Sequence, residues 1–311
     1  MSSTEDQPPA NRDAVSAAVR NRMDAELRAC ASRTSGGLYI VSTPIGNLSD
    51  ITLRALAILA TADIVYAEDT RHSAHLLQHF QINTHLKSSH DHNEEFRITE
   101  ILDRLSRGQS IAMISDAGTP LISDPGYKIV RAVAAAGYDV VSVPGAAAML
   151  AALTSSGLPT DTFLFAGFLP SKQVARQRRL TELKDIPATL VFYESPLRIA
   201  ASCADMVAKL GRDRTAVVAR ELTKRFEEVL RGTLASLADD VATRTLKGEM
   251  VVVVSPAAQT PVTDEDIAAE LEAALKDLSL KDAARAVSEK LNVSRSKVYE
   301  LGLVLKKSST S

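Results

Sequence analysis

The sequence predicts an α/β protein built from two successive α/β units, and three observations predict it. Short apolar runs alternate with helix-spaced segments from Leu38 to about Leu153, the pattern of a parallel sheet with crossover helices. The alternation pauses at Gly157-Leu-Pro-Thr-Asp161 and then resumes. Three of the apolar runs in the first unit end abruptly in loops rich in Pro and Gly.

Taken in order, residues 1–36 are polar and Ala-rich, with Pro8-Pro9 and Ser35-Gly36-Gly37 at their boundary. They read as a flexible N-terminal tail with a short helix over Asp13–Ala29. Residues 37–156 form the first α/β domain, with strands expected at 38–43, 63–67, 110–115 and 139–143. The first strand runs into Thr43-Pro-Ile-Gly-Asn-Leu48 and then a helix over Asp50–Ala60. Asp50 is its expected N-cap, and Leu53, Leu56, Ala57 and Ala60 are spaced for one face.

The third strand runs into Ile114-Ser-Asp-Ala-Gly-Thr-Pro-Leu-Ile-Ser-Asp-Pro-Gly126, ahead of a helix beginning near Tyr127. Gly118, Pro120, Pro125 and Gly126 exclude both helix and strand there, and glycine lets a ligand approach the main chain. The fourth strand ends at Pro144-Gly145 before a small-residue helix. Ligands of open α/β sheets bind outside the carboxyl ends of the strands, so the three loops suggest one composite pocket. None carries a Gly-x-Gly-x-x-Gly or Gly-Lys-Ser/Thr signature, which disfavours dinucleotide and P-loop sites.

Residues 157–256 form the second α/β domain, with strands at Phe163–Ala166, Ala188–Tyr193, Thr215–Ala219, Glu227–Arg231 and Glu249–Val254. Phe226 to Leu234 reads as strand and turn rather than a crossover helix, so this sheet should be mixed. Residues 257–311 form a C-terminal helical unit, entered through a Pro/Ala linker over Ser255–Val262. Helices are expected at Asp264–Leu275, Lys281–Leu291 and Arg295–Val304. The last two, joined by Asn-Val-Ser, have helix-turn-helix rhythm, which serves a nucleic-acid module or a plain helical hairpin equally well.

At 311 residues with 45% apolar and 24% charged side chains, the composition is that of an ordinary globular protein. No apolar run is long enough to span a bilayer, and the N-terminus lacks the pattern of a signal peptide. Cys30 and Cys203 have no spacing partner, which argues against disulfides and zinc and for the cytoplasm. A net charge of −2 argues against wholesale electrostatic binding of nucleic acid but leaves room for local patches. Lys172, Arg176, Arg178 and Arg179 form one such patch, and 281–307 carries more bases than acids.

Eight strings, in order across about residues 37–255, carry a resemblance. They are Tyr39-Ile-Val-Ser-Thr-Pro-Ile-Gly-Asn-Leu-Ser-Asp-Ile-Thr, Ala67-Glu-Asp-Thr-Arg-His72, His90-Asp-His-Asn-Glu94 and Ser115 through Tyr127. Gly167-Phe-Leu-Pro170, Phe192-Tyr-Glu-Ser-Pro196, Ala219-Arg-Glu-Leu-Thr-Lys224 and Lys247-Gly-Glu-Met250 complete them. The chain resembles the tetrapyrrole methylase superfamily and, within it, the small-subunit ribosomal RNA branch. Members of that branch methylate the ribose 2′-oxygen of a cytidine in the decoding region of 16S rRNA.

The resemblance implies two α/β domains with a cleft between them that binds S-adenosyl-L-methionine. Carried over by motif, the cofactor positions are Pro44, Ala117, Gly118, Thr119, Ile122, Ala147, Ala148, Glu194 and Leu222, with Ser115 and Asp116 in reach of the amine or ribose. Relatives commonly show Pro-Gly-Pro-Ser/Cys-Ala where this chain has Pro144-Gly-Ala-Ala-Ala148, so only backbone contacts survive at Ala147. A ribose hydroxyl is a weak nucleophile and gains from a proton acceptor. Catalytic candidates are Glu68, Asp69 and Arg71, with Arg71 suited to a phosphate and either acid suited to take the proton or fix Arg71. Asp91-His-Asn-Glu94 and Glu221 are further acidic candidates.

Arg176, Arg178, Arg179, Lys224, Arg225, Arg295 and Lys297 are expected to grip RNA. The expected partner is 16S rRNA, within the small ribosomal subunit, and a homodimer is expected from the resemblance. All six histidines fall between 72 and 92, and His72, His75 and His79 share a helix face. They are expected to line an RNA or dimer surface, with no metal, because sulfonium methyl transfer needs no Lewis acid. Two alternatives stand beside this reading: a carbon-methylating tetrapyrrole enzyme, and a non-catalytic nucleic-acid-binding protein whose α/β part senses a ligand.

Overall fold

The computed structural model describes residues 17–90, 94–257, 263–291 and 293–308. These fall into two compact units that divide between Ala257 and Ala258. The first begins with helix α1 (Ala17–Ala31), which packs on α2. A five-stranded sheet follows: β1 (Gly37–Val41), α2 (Leu53–Thr61), β2 (Ile64–Ala67), α3 (Thr70–His79), β3 (Leu86–Ser88), α4 (Glu94–Ser106), β4 (Ser110–Ile114), α5 (Tyr127–Ala135) and β5 (Val140–Val143). Its strand order is β3-β2-β4-β1-β5, and every pairing is parallel.

Alternation along the central strands explains why they are apolar throughout. Tyr39, Val41, Val65, Ala67, Ala112 and Ile114 face one way, against Ala55, Ile58, Leu59 and Leu77 of α2 and α3. Leu38, Ile40, Ile64, Tyr66, Ile111 and Met113 face the other way, against Ile101 and Leu105 of α4 and Ile129 and Val133 of α5. A parallel sheet covered on both faces needs this double-sided pattern.

Helix α6 (Ala148–Ser156) leads to the second sheet: β6 (Phe163–Phe168), α7 (Gln173–Leu183), β7 (Thr189–Glu194), α8 (Ile199–Leu210), β8 (Thr215–Arg220), β9 (Glu228–Thr233), α9 (Leu234–Thr243) and β10 (Met250–Val254). The order is β6-β7-β10-β8-β9, with β6 and β7 parallel and all other pairs antiparallel, so the sheet is mixed. Helices α7, α8 and α9 cover one face. On the other face, Ala152 and Leu153 of α6, together with Ile45 and Leu222, pack on Val191, Val217, Val251 and Val253. That face is turned toward the loops of the first sheet.

Local differences from the sequence reading have physical causes. The helix expected from Asp50 begins at Leu53, because Thr52 is the residue whose Oγ1 accepts the Ala55 N–H, at 3.1 Å. Asp50 instead closes a 3₁₀ turn over Leu48–Asp50. The edge strand β3 has no counterpart in the reading, and of the helix expected over 13–29, residues 13–16 lie outside the described residues. Most of the linker (258–262) lies outside them too.

The second unit holds α10 (Asp264–Ala274), α11 (Leu280–Leu291) and α12 (Arg295–Ser308) around Ile267, Leu271, Ala283, Ala284, Val287 and Val298. Thr263 and Asp266 form a reciprocal capping box at the start of α10. Gly302 lets α12 approach α11, since a Cβ there would lie 2.5 Å from Leu280 Cδ1. Among the described residues, no helix is long and apolar enough to cross a membrane.

Candidate active site

The loops after β1, β4 and β5 are tied into one assembly by short polar contacts. Thr43 and Gly118 form an isolated antiparallel bridge, Thr43 N–H to Gly118 O at 2.9 Å and Gly118 N–H to Thr43 O at 3.1 Å. Ser42 Oγ lies 3.0 Å from Thr119 Oγ1, and Thr119 Oγ1 donates to Ala146 O at 3.2 Å, so one hydroxyl chain crosses all three loops. Gly145 is required for this closeness, because a Cβ there would sit 2.8 Å from Ser42 Cβ. Gly118, at φ +80°, completes the bridge in a conformation that side chains disfavour.

A cavity of about 600 Å³ opens between these loops and the second sheet. One wall is Ile45, Ala117, Gly118, Thr119, Ile122, Ala147 and Ala148; the other includes Phe168, Tyr193, Glu194, Leu222 and Gly248 to Val251. Helix α6 begins here with Ala147 as N-cap and no capping side chain, so its first amides end at the cavity wall. One of them, Met149 N–H, donates to Tyr193 Oη at 3.3 Å. Tyr193 stacks edge-on with Phe165 and Phe168, at centroid distances of 4.8 and 5.6 Å. Burial raises its phenol pKa, and the nearby Asp124 and Glu249 charges add to the rise.

Two loops at the cavity carry unusual backbone. Leu121 and Ser123 have φ of 73° and 66°, and Glu221 and Thr223 have φ of 52° and 65°. The β-branched Thr223 is the costliest of these. The turn at Glu221 is locked from within: its Oε1 accepts from Lys224 Nζ at 2.9 Å and from Glu249 N–H at 3.2 Å. The Lys224 bond holds the Glu221 carboxyl below the usual carboxylate range. Opposite it, Gly248 sits at φ +87°, where a Cβ would fall 2.1 Å from Glu221 Oε1.

Of the expected cofactor positions, Asp116, Ala117, Gly118, Thr119, Ile122, Ala147, Ala148, Glu194 and Leu222 border the cavity. Pro44 does not: it is buried, and the Thr43–Gly118 bridge turns the loop so that Ile45 faces the cavity instead. Ser115 is buried as well and faces a narrow recess behind the cavity, shared by Glu68 and Asp124. Glu194 is 3% exposed and its carboxylate accepts from Ser195 N–H (2.8 Å), Ser202 Oγ (2.5 Å) and Arg198 (2.7 Å). These bonds tie the end of β7 to α8 beside the cavity wall.

Of the catalytic candidates, only Glu68 borders the cavity. Asp69 is the N-cap of α3 and grips Arg71 twice, Nε to Oδ1 at 3.1 Å and the terminal nitrogen to Oδ2 at 2.7 Å. Those bonds hold its carboxyl well below the usual range, so it is a poor proton acceptor. The Arg71 side chain is 90% exposed and is aimed by Asp69. Asp116 Oδ1 accepts the Asp69 N–H at 3.0 Å, linking the two loops. Residues Asp91 to Asn93 lie outside the described residues; Glu94 is buried and accepts from Lys128 N–H at 3.1 Å.

The expected RNA contacts divide sharply. Arg176 fails as a surface contact: its guanidinium is buried on Asp205, with side chains 6% and 5% exposed and Nε to Oδ2 at 2.7 Å. Arg178 and Arg179 are exposed beside Glu182, and Arg225 is exposed beside the Phe226 ring. Lys224 is half-buried and paired with Glu221 and Glu249. In the C-terminal unit, Arg295 and Lys297 open α12 on an exposed turn, with Lys297 Nζ 2.7 Å from Asp264. His72, His75 and His79 lie exposed along α3. Asp124, Phe168 and Tyr193 border the cavity but were not singled out by the sequence reading; all three lie inside or beside strings it quoted.

Comparison with known proteins is consistent across sequence and fold. Residues 37–238 match the family of tetrapyrrole (corrin/porphyrin) methylases, and residues 261–306 match the RsmI C-terminal HTH domain. The ribosomal RNA small subunit methyltransferase I of Pseudomonas aeruginosa is 47% identical over 276 residues, covering 87% of this chain and 98% of that protein. The protein of that name from Mesorhizobium japonicum is 49% identical over 273 residues (88% and 93%), and that of Escherichia coli O157:H7 is 45% identical over 278 (88% and 96%).

Among solved structures, cobalt precorrin-4 methyltransferase aligns with a TM-score of 0.55 at 20% identity, covering 70% of this chain and 94% of that one. Diphthine synthase aligns with a TM-score of 0.55 at 16% identity, covering 70% and 89%. At these identities the two structures speak to the fold alone. The chain thus belongs to the tetrapyrrole methylase family and, within it, to the ribosomal RNA small subunit methyltransferase I group.

Proposed function

We propose that this chain transfers a methyl group from S-adenosyl-L-methionine to the ribose 2′-oxygen of a cytidine in the decoding region of 16S rRNA. The observation that carries the reading is the cavity itself: three loops knit into one wall of small residues, facing a strand-built wall, in a chain with the family's C-terminal unit. Its residues fit the donor. A volume of about 600 Å³ is in the range of cofactor sites. The small side chains of Ala117, Ala147 and Ala148, and the bare Cα of Gly118, let the adenine and methionine ends approach the main chain closely, and Ile45, Ile122 and Leu222 supply apolar walls. The uncapped start of α6 suits a carboxylate.

When bound, the donor supplies an electrophilic methyl on a sulfonium. The chain's part is chiefly to align the acceptor for in-line attack, since positioning supplies much of the rate in such a displacement. Arg71, held at a fixed angle by Asp69, is placed to fix a backbone phosphate of the acceptor strand. Glu68 faces the cavity from the end of β2. Ala147 contributes only main chain, as the Pro-Gly-Ala-Ala-Ala string implies. Arg178, Arg179, Lys224 and Arg225 from the first unit, and Arg295 and Lys297 from the second, supply phosphate contacts that set register while the cytidine leaves its stack. We place the reaction in the cytoplasm, on rRNA within the small subunit, carried out by a homodimer.

The test is transfer from labelled S-adenosyl-L-methionine onto small ribosomal subunits that lack decoding-region methylation, mapped by nuclease digestion and mass spectrometry. One methyl on a cytidine ribose is the expected result. Methylation of a base, or none despite donor binding, refutes the reading.

A further inference from the structure

With seven Phe, six Tyr and no Trp, the chain has few aromatic rings, and Phe226 is left 64% exposed on a turn that reaches the cavity. The turn joins β8 to β9 over residues 221–227. At one end Leu222 is buried in the cavity wall; at the other, Phe226 faces solvent. Its shape is fixed from within. Lys224 N–H donates to Glu221 O at 3.0 Å, Glu227 N–H donates to Lys224 O at 3.2 Å, and Thr223 N–H donates to Glu227 Oε2 at 2.6 Å. Thr223 Oγ1 accepts the Asn47 N–H, at 3.1 Å, from the loop after β1. Gly46 lies close against Lys224, so that a Cβ there would collide with Lys224 Cγ. The turn thus bridges the wall that holds Ile45 and the wall that holds Leu222. The left-handed Glu221 and Thr223 store strain, which persists only where the surroundings over-determine it.

The charges of the turn single out its tip. Lys224 is paired with Glu221 and Glu249, and Arg220 with Glu228 at 3.2 Å. Glu228 also takes Arg244 at 2.7 Å. Of the three bases in 220–228, only Arg225 has no acidic partner among the described residues. Its guanidinium lies over the Phe226 ring, 5.5 Å from the centroid. A guanidinium laid on a ring keeps its N–H edge for a phosphate, while the ring keeps surface for a second planar group. Unpaired nucleotides are held by this pairing of an aromatic platform and a cation.

We propose that Phe226 stacks on a nucleobase next to the nucleotide that enters the cavity, with Arg225 on the adjoining phosphate. The inference rests on the RNA-methylating reading above and deepens it, because it requires the acceptor strand to be unpaired at that neighbour. A base that leaves its stack uncovers the face of the base beside it, and a ring at the cavity edge offsets that loss. Phe226 is in this role a residue that binds the acceptor and not the donor.

The experiment titrates fluorescently labelled full-length protein with unmethylated small subunits, reading anisotropy at several salt concentrations and constant magnesium. Donor affinity is measured by calorimetry. The proteins are wild type, F226A, F226W, F226L and R225A. F226A is expected to weaken subunit binding about 5- to 150-fold, the range for one stacked base. Its slope of log K against log salt should match wild type, since stacking displaces no counterion, and its donor Kd should stay within about threefold. F226W should bind within about threefold of wild type. F226L, apolar but without a π face, should bind as weakly as F226A. R225A should flatten the slope by about 0.7, for one phosphate contact on a single strand.

Subunit binding by F226A within about twofold of wild type overturns the proposal. Full binding by F226L does so too, and marks an apolar contact with a ribosomal protein. A donor Kd raised more than about threefold in F226A assigns the ring to the donor cavity and also overturns it. If F226A does not fold, F226W against F226L decides, and equal affinity of the two overturns the stack. Wild-type protein without affinity for small subunits overturns both this inference and the function. Wild-type protein that binds them but methylates no ribose refutes the function alone, and the F226A comparison still decides the stack.

Discussion

Asp205→Ala tests the strongest correction to the expected RNA surface. Asp205 accepts Arg176 Nε and a terminal nitrogen, each at 2.7 Å, and Gln177 Nε2, also at 2.7 Å. Both charged side chains are at most 6% exposed. Removing the carboxylate leaves two guanidinium donors and the side-chain amides of Gln177 and, at 3.4 Å, Gln173 without this acceptor, beside a guanidinium that water hardly reaches. Only the Arg176 bond to Ser171 O, at 3.1 Å, remains of similar length.

Breaking a buried pair from one side costs about 3–5 kcal/mol, whereas an exposed pair is worth about 1 kcal/mol or less. For a unit of this size each kcal/mol moves Tm by about 2–4 °C, so D205A should lower it by roughly 6–20 °C. The assay is thermal and urea unfolding of the full chain, followed by circular dichroism. The double variant R176M/D205L should regain most of the loss, because an apolar pair of similar volume avoids desolvating two charges. If D205A loses under about 1 kcal/mol, the guanidinium is wet, and Arg176 returns to the list of RNA contacts.

Three further outcomes follow from the same structure. R178A/R179A, which spares Arg176, should flatten the salt dependence of RNA binding by about 1.4–1.8 in log–log slope for two lost phosphate contacts; an unchanged slope removes both from the interface. G248A should weaken donor binding and destabilise the fold, because φ +87° and a Cβ 2.1 Å from Glu221 Oε1 force the cavity turn to open; calorimetry showing wild-type donor affinity contradicts this.

The third outcome concerns pH. Burial pushes the Glu100 carboxyl up, but bonds from Lys87 and Arg97 outweigh this and bring its pKa down to about 2. A depressed carboxylate stabilises above its unfolded pKa of about 4.3, and that stability disappears as pH falls toward 2. E100Q should therefore be less stable at pH 6 and show a shallower loss of stability between pH 4.3 and 2. Parallel wild-type and E100Q curves across that window contradict the ion cluster.

Much of this architecture was legible in the sequence because its strands are apolar on both faces and end in Pro/Gly loops. The edge strand β3 was not, since Leu86-Lys-Ser88 is short and half-buried and leaves no apolar run to read. The order of the second sheet was equally hidden: nothing in Met250-Val-Val-Val-Val254 says that it lies between β7 and β8.

The loops around the cavity were visible as loops, but their facing was not. Ile45 rather than Pro44 lines the wall because of a bridge to Gly118, far along the chain. Arg176 shows the opposite case. It shares the stripe i, i+4, i+7 with Leu180 and Leu183, all buried on one face of α7, and that spacing marks it as inward. Its partner Asp205 lies on α8, where no local signal announces it. Asp124 was inside the most informative string but looked like one more turn residue, since partial burial is a property of the folded loop.

The central place of β10 sets an order on biosynthesis. Strands β6 and β7 form one pair and β8 and β9 another, and the two pairs have no hydrogen-bonded strand in common until β10 enters between them. β10 is also the last strand of the first unit, and its Met250 and Val251 line the cavity. A ribosome elongating at roughly 5–20 residues per second therefore holds a nascent chain with two open sheet edges for the time needed to translate from Thr233 to Val254. The cavity has no complete wall before that point. A nascent chain stalled ahead of Gly248 would expose both edges, whereas one released past Val254 has closed its sheet with its final strand.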